Sequence, residues 1–310
     1  MNSGRRNPRS RALRGFTTIL LFLLPALVLF LLLVVAPIAV AMYTSFFKWN
    51  GLGGLPTEFL GLGNFERLFG DPVFQGDLWH GAVLIALSLV VQLPIALGLA
   101  LLLNQKLRGR AFYRLLFFAP YVLSEAITGV LFMMILEPES GLANQILQVV
   151  GLGGLDWFAD QSTVLLSLFL VMLWKYFGFH MILYIAGRQG IPNELIEAAQ
   201  IDGATGWKVF RHVTLPLLGP TIRISVFLSV IGAIQLFDLV WIITDGGPTH
   251  SSETMAVTMV QFGFKRFQVG YASAISVVMF LISLVFALGY QRFVLRRDLQ
   301  GATTVLRDQR

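Results

Sequence analysis

The chain has 310 residues, 56% of them apolar, 13% charged, with a mean hydropathy of +0.73. Soluble domains carry about 25% charged residues, so a water-soluble globule is excluded and a bilayer is the expected solvent. Cysteine is absent, which excludes disulfides, thiolate metal sites and cysteine nucleophiles, and the four histidines form no HExxH pair for a helical metalloprotease. A net charge of +6 suggests nucleic acid until its distribution along the chain is read.

A membrane-spanning helix needs about 20 apolar residues. Six such runs follow one another, at 18–43, 78–103, 112–136, 163–186, 216–243 and 271–294. The first contains Pro25 and Pro37 as candidate kinks. It is much longer than a signal-peptide core and lacks a small-residue cleavage site, so it reads as a retained helix. Of 23 basic residues, 17 fall in the 1–17 tail, the segments after spans two and four, and the C-terminal end with its 295–310 tail. The segment after span three instead carries Glu137, Glu139, Asp156 and Asp160. By the positive-inside rule both termini are cytoplasmic. The reading is an all-α membrane protein with one domain, 18–294, between two basic cytoplasmic tails.

Segment 188–215, between spans four and five, is the anomaly. Pro192 suits a first helical position, with Glu194 and Glu197 in the favourable early turns. Leu195, Ile196 and Ala199 are spaced for one apolar face. Asp202-Gly203 breaks the helix, since glycine reaches φ > 0 without strain. Thr205 is placed to cap a second short helix with Trp207 and Phe210 on one face, and Leu215-Pro216 opens the next span. This is a compact, exposed helix–turn–helix.

Glu197-Ala198-Ala199, Gly203, Val213 and Leu215-Pro216, at their spacing, resemble the "EAA" loop of binding-protein-dependent ATP-binding-cassette (ABC) importer permeases. Val213 stands where the family most often has Ile. Asp202-Gly203-Ala204, Phe237-Asp238-Leu239-Val240-Trp241 and Thr244-Asp245-Gly246-Gly247-Pro248 are similar to the carbohydrate branch, in its maltose-permease-like first subunit. His80-Gly81, where many relatives have Asn-Thr, departs from the pattern. The resemblance implies a type I importer permease fold of six transmembrane helices in a bacterial plasma (inner) membrane. It implies a second permease subunit, two copies of a cytoplasmic ABC ATPase and an extracytoplasmic sugar-binding protein. No GxxxxGK[ST] phosphate loop occurs, so ATP and Mg are expected on the ATPase, with no cofactor and no catalysis in this chain. By the resemblance Glu197, Ala198, Ala199, Asp202, Gly203, Leu215 and Pro216 serve coupling. Trp207 and Phe210 are candidate anchors, or else pack the loop against its own helices.

Ionisable residues within spans are costly and line pathways or pair with one another. Glu125 lies four residues after Tyr121, and Lys175 four before Phe179 with Tyr176 alongside; Ser229, Ala233 and Leu236 form a stripe on span five. Aromatic faces with a few polar groups suit a sugar. Alternatively Glu125 and Lys175 form an ion pair that only joins helices. Arg223 is placed to snorkel, Gln235 and Asp238 to line an outer gate, and Trp241 to anchor at the interface. The expectation is an importer for a di- or oligosaccharide. A glycerol-3-phosphate or polyol importer would want more cations than Lys175. An ion-coupled secondary transporter would show internal inverted repeats, and none is evident.

Overall fold

The computed structural model describes residues 21–105 and 107–295. The expected start of span one at 18–20 and most of the two basic tails lie outside the described residues. Helix α1 is Leu21–Thr44, α3 Pro72–Leu103, α7 Val164–Gln189 and α13 Val269–Leu295; each is long and apolar enough to cross a bilayer. Two further apolar stretches are bent. Helices α4 (Arg110–Val122) and α5 (Glu125–Ile135) meet at 99°, and α9 (Gly206–Leu217) and α10 (Gly219–Ile234) at 65°. Between these lie a two-residue hairpin of β1 (Phe47–Lys48) with β2 (Glu58–Phe59), and short helices. The short helices are α2 (Gly63–Gly70), α6 (Leu142–Val149), α8 (Asn193–Ile201), α11 (Asp238–Ile243) and α12 (Met255–Val260).

Two expected spans are bent rather than straight. The run 112–136 is not one straight helix. Leu123 and Ser124 are extended, and the Ser124 hydroxyl accepts from the Ile127 N–H at 3.2 Å, starting α5 afresh. The run 216–243 is likewise not one continuous helix. Its helix begins earlier, at Gly206, bends at Leu218 next to Gly219-Pro220, and ends at Ile234, leaving 235–237 irregular before α11.

Prolines inside the long helices are absorbed rather than avoided. Proline lacks an N–H and its ring collides with the carbonyl four residues back. Pro37, Pro94 and Pro216 each follow a wide π-turn, at Leu31–Val35, Ser88–Gln92 and Phe210–Thr214. In each, the residue before the proline donates five residues back: Ala36 to Leu31, Leu93 to Ser88 and Leu215 to Phe210. The widened turn makes room for the ring and keeps the helix continuous.

Helix α3 is the hub, since all three apolar clusters of the interior draw on it. One cluster joins Leu84 to Val164, Leu168 and Val171 of α7 and Leu239 and Val240 of α11. A second joins Phe74 to Leu68, Val230, Phe262 and Ile275. The third joins Ala96 and Ala100 to Met181 and Tyr184 of α7. Small residues set the closest approaches. A Cβ on Gly178 of α7 would lie 1.9 Å from the Phe117 carbonyl oxygen of α4, and one on Gly270 of α13 would lie 2.1 Å from that of Phe47. Helix α1 touches α13 through the Thr44–Ser273 hydroxyl bond, 2.8 Å, but its most apolar stretch has no buried residue. Such a surface needs lipid or another protein to cover it. In segment 136–163, N–H and O–H donors of Ser140 and Ser162 hold the Glu137 and Asp160 carboxyls below their usual range.

Candidate functional site

Two features stand out, a cavity among the long helices and an exposed helical hairpin at one end.

The cavity has a volume of about 250 Å³. Ser88 and Gln92 enter it from α3, Tyr121 from α4, and Met172, Tyr176, Phe179 and His180 from α7. Leu228, Ser229, Gly232 and Ala233 come from α10, and Leu236 from the break after it. Gly232 is exposed, so the cavity reaches the chain's surface there. One wall is aromatic: Tyr121 stacks on Phe179 with centroids 4.9 Å apart, and Tyr176 stands edge-on to Tyr121 at 6.3 Å. Part of the lining is polar. Gln92 Oε1 and Ser88 Oγ are buried and have no partner among the described residues. They are the two ends of the π-turn that accommodates Pro94; π-turns recur at functional sites. His180, 4% exposed, meets the Ser225 hydroxyl through Nδ1 at 2.7 Å.

Behind the aromatic wall is the break between α4 and α5. A helix end leaves carbonyls without intrahelical partners. Buried Lys175 donates to one of them, the Leu123 carbonyl, at 2.6 Å, and its ammonium lies 3.7 Å from Glu125 Oε1. The Tyr176 hydroxyl donates to the same Glu125 oxygen at 2.5 Å.

Of the residues expected on a substrate pathway, Tyr121, Tyr176, Phe179, Ser229, Ala233 and Leu236 line this one cavity. Glu125 and Lys175 do not line it; they stand behind it, joined to each other and to Tyr176. Tyr121 and Glu125 share no helix face, because the break at Leu123–Ser124 separates them. Gln235 and Asp238 are exposed and also outside the cavity lining. Sequence reasoning passed over Ser88, Gln92 and His180. Ser88 and Gln92 are polar, four residues apart in an apolar run, which is the signal of an inward face. His180 is a further ionisable group within a span.

The hairpin comprises α8 and α9. Gly203 adopts φ +79°, the Ala204 N–H reaches the Ala199 carbonyl at 2.9 Å and the Gly203 N–H that of Gln200 at 3.0 Å. This is the paired 6→1 and 5→2 closure that glycine permits at a helix C-terminus. Pro192 stands one residue before α8 rather than within it, and Thr205 precedes α9 without a side-chain capping bond, two small departures from expectation. Glu197, Ala198 and Asp202 are exposed; Trp207 is 67% exposed with its ring 5.2 Å from that of Phe210. Ile201 is 86% and Leu195 46% exposed. The hairpin's own core is small: Val209 and Thr214 are its buried residues. Leu195, Ile201 and Trp207 thus leave an apolar surface on the hairpin that no other part of the described chain covers.

Residues 92–298 match the family described as binding-protein-dependent transport system inner membrane component. The chain belongs to that family: it is the membrane-embedded permease of a binding-protein-dependent ABC transport system. It is 39% identical over 277 residues to the "Probable ABC transporter permease protein YurN" of Bacillus subtilis (strain 168), covering 88% of this chain and 94% of that one. It is 35% identical over 278 residues to the sulfoquinovosyl glycerol transport system permease protein SmoG of Agrobacterium fabrum, covering 90% of each. The fold is similar to a chain of a bacterial alginate ABC transporter crystallised with its alginate pentasaccharide-bound periplasmic protein. The TM-score is 0.81, with 22% identity, over 92% of this chain and 96% of that one.

Proposed function

We propose that this chain is one of two transmembrane subunits, a heterodimer, of an ATP-driven importer for a di- or oligosaccharide in a bacterial plasma (inner) membrane. Each bent pair counts as one span, which gives six, with both termini and the hairpin on the cytoplasmic side. The observation that carries the reading is the combination of an exposed apolar hairpin of EAA pattern at one end with an aromatic and hydroxyl-lined cavity among the spans. Glu197, Ala198, Ala199, Asp202, Gly203, Trp207, Phe210, Leu215 and Pro216 form or shape the surface that meets a separate ATPase, which holds ATP and Mg. Nucleotide-driven closure of two such ATPases moves α8 and α9, and through α9–α10 the wall of the cavity. A sugar released by an extracytoplasmic binding protein passes along the wall of Tyr121, Tyr176 and Phe179, whose rings suit the apolar faces of a pyranose. Gln92, Ser88 and Ser229 meet its hydroxyls. Glu125 and Lys175 hold that wall in place. The opening at Gly232 is where the second permease completes the path. Carbohydrate as cargo is supported by the printed names of relatives, sulfoquinovosyl glycerol and alginate among them. No lysine or arginine lines the cavity among the described residues, which disfavours a phosphorylated polyol.

The test is ATPase activity of the complex purified with its co-expressed partner subunits. Stimulation by a sugar-loaded binding protein, lost or uncoupled in Glu197→Ala and Gly203→Pro, supports the reading. A complex without ATPase, indifferent to both substitutions, removes it.

A further inference from the structure

A second buried polar cluster lies at the other end of the bundle and plays no part in the cavity or the hairpin. The last turns of α3 pack beside Met181 and Tyr184, near the hairpin, so Asp77, close to the start of α3, is at the opposite end. Asp77 is 1% exposed, Glu253 1% and Thr258 0%. The Thr258 hydroxyl oxygen is 2.6 Å from Asp77 Oδ2 and 2.9 Å from Glu253 Oε1. A hydroxyl carries one hydrogen and can donate it to only one of two carboxylates. The other contact needs a hydrogen from the carboxyl side, so the cluster holds a proton. Asp77 Oδ1, fully buried, has no partner among the described residues. A neutral carboxyl tolerates an unpaired carbonyl oxygen far better than a carboxylate tolerates an unpaired charged one. Glu253 has compensation on its other oxygen, where the His250 ring nitrogen Nδ1 approaches Oε2. The hydrogens then run one way: Asp77 Oδ2–H to Thr258, Thr258 O–H to Glu253, and His250 N–H to Glu253.

We propose that Asp77 is a proton-binding site that latches the start of α3 to the 244–254 loop and α12, and that its deprotonation releases the latch. Apart from His250, which faces Glu253 and not Asp77, the titratable groups around the cluster pair elsewhere. Among the described residues no lysine or arginine pairs with either carboxyl. On α3, His80 donates through Nδ1 to the Glu253 backbone carbonyl at 2.9 Å, and at its head Asp71 takes the Tyr271 hydroxyl of α13 at 3.1 Å. From α2, Arg67 lies over the Tyr271 ring and bonds Gln268. Lys265, after α12, pairs with Asp245. Lys175, Tyr176 and His180 of α7 belong to the cavity and its rear wall, and Arg223, near the start of α10, takes the Tyr290 hydroxyl of α13 on its backbone carbonyl.

The loop that the latch holds is strained. Asp245, Thr249 and His250 have φ of 51°, 45° and 65°, a region unfavourable for residues with a side chain. Such residues persist only where their surroundings over-determine them. Gln161 holds Thr249 at 2.5 Å and Lys265 holds Asp245 at 2.6 Å, and the Asp77–Thr258–Glu253 chain is a buried part of that restraint, beside the Thr254 hydroxyl on the Leu236 carbonyl at 2.8 Å. When the proton leaves Asp77 for solvent, a second negative charge remains beside Glu253 with one hydroxyl hydrogen between them. Repulsion then separates α3 from the loop.

Infrared spectroscopy of the purified full chain in lipid nanodiscs tests this, because the carbonyl stretch of a neutral carboxylic acid is separate from amide and carboxylate bands. The wild type is expected to show that band near neutral pH and lose it in alkaline buffer. Asp77→Asn, which keeps a donor toward Thr258, is expected to lack it at both, and Glu253→Gln to retain it at neutral pH. Hydrogen–deuterium exchange of 244–254, corrected for intrinsic base catalysis, is expected to rise in alkaline buffer in the wild type and stay level in Asp77→Asn. A band unaltered by Asp77→Asn overturns the proposal. So does exchange that rises as steeply in that variant as in the wild type.

Discussion

Two interrupted helices of this chain are finished in opposite ways. At the α4–α5 break the freed carbonyl of Leu123 is met by buried Lys175, the new start is capped by Ser124, and Glu125 is bonded by Tyr176. At the α8–α9 turn Gly203 closes the backbone locally, but Leu195, Ile201 and Trp207 are left in the open. The first break finds most of its partners within one chain, with Glu125 Oε2 alone of its carboxyl oxygens left without one among the described residues, and so shapes a wall. The second is complete only in its backbone, and its side chains are available to a partner. The same polymer event therefore builds a wall in one place and leaves an uncovered apolar surface in the other.

The contrast predicts where stability and assembly respond to substitution. The largest effect on the chain's own stability is expected for Lys175→Met. It strands the Leu123 carbonyl and a partly buried Glu125, a loss of about 3–5 kcal/mol by analogy with broken buried pairs. A lowered midpoint in thermal unfolding in nanodiscs, partly recovered by Lys175→Met/Glu125→Gln, checks it. A midpoint unchanged in the single variant would show that the break needs no cation. Gly178→Ala places a Cβ against the Phe117 carbonyl, so α4 and α7 must part; about 1–3 kcal/mol is expected from overpacking, read by the same unfolding scan. Gly203→Ala meets no neighbour within 4 Å, so only its positive φ is penalised, at about 1 kcal/mol. Its larger effect is expected on ATPase stimulation, because the turn sets the angle of the exposed tip. Trp207→Ala should change unfolding by no more than about 0.5 kcal/mol, as exposed positions do, yet reduce the ATPase retained on affinity purification. A marked loss of stability in Trp207→Ala with the ATPase retained would make the ring an internal packing element instead.

Much of this was legible in the sequence because membrane physics writes in long runs. The apolar stretches, Gly203 with its flanking helices, and the Tyr176–Phe179 face all follow from length and period. The 99° break did not, because Pro120 alone often only kinks a helix; the decisive event is two extended residues, Leu123 and Ser124, stabilised by Lys175 from 52 positions away. The π-turns were hidden too, since a proline in an apolar run signals a kink without saying how the ladder adjusts. Asp77 at the edge of a span and Glu253 in a loop look like ordinary surface acids until Thr258 brings them together.

The hairpin's role is most directly measured by cross-linking, and the absence of native cysteine makes single-cysteine probes unambiguous. Ala198→Cys on the exposed face of α8 and Gly151→Cys at the opposite end would each be treated with a short bifunctional reagent in the purified complex. An adduct with the ATPase subunit from position 198, strengthened or weakened by nucleotide and absent from position 151, is the predicted result. An adduct from 151 but not from 198 would contradict docking through the hairpin.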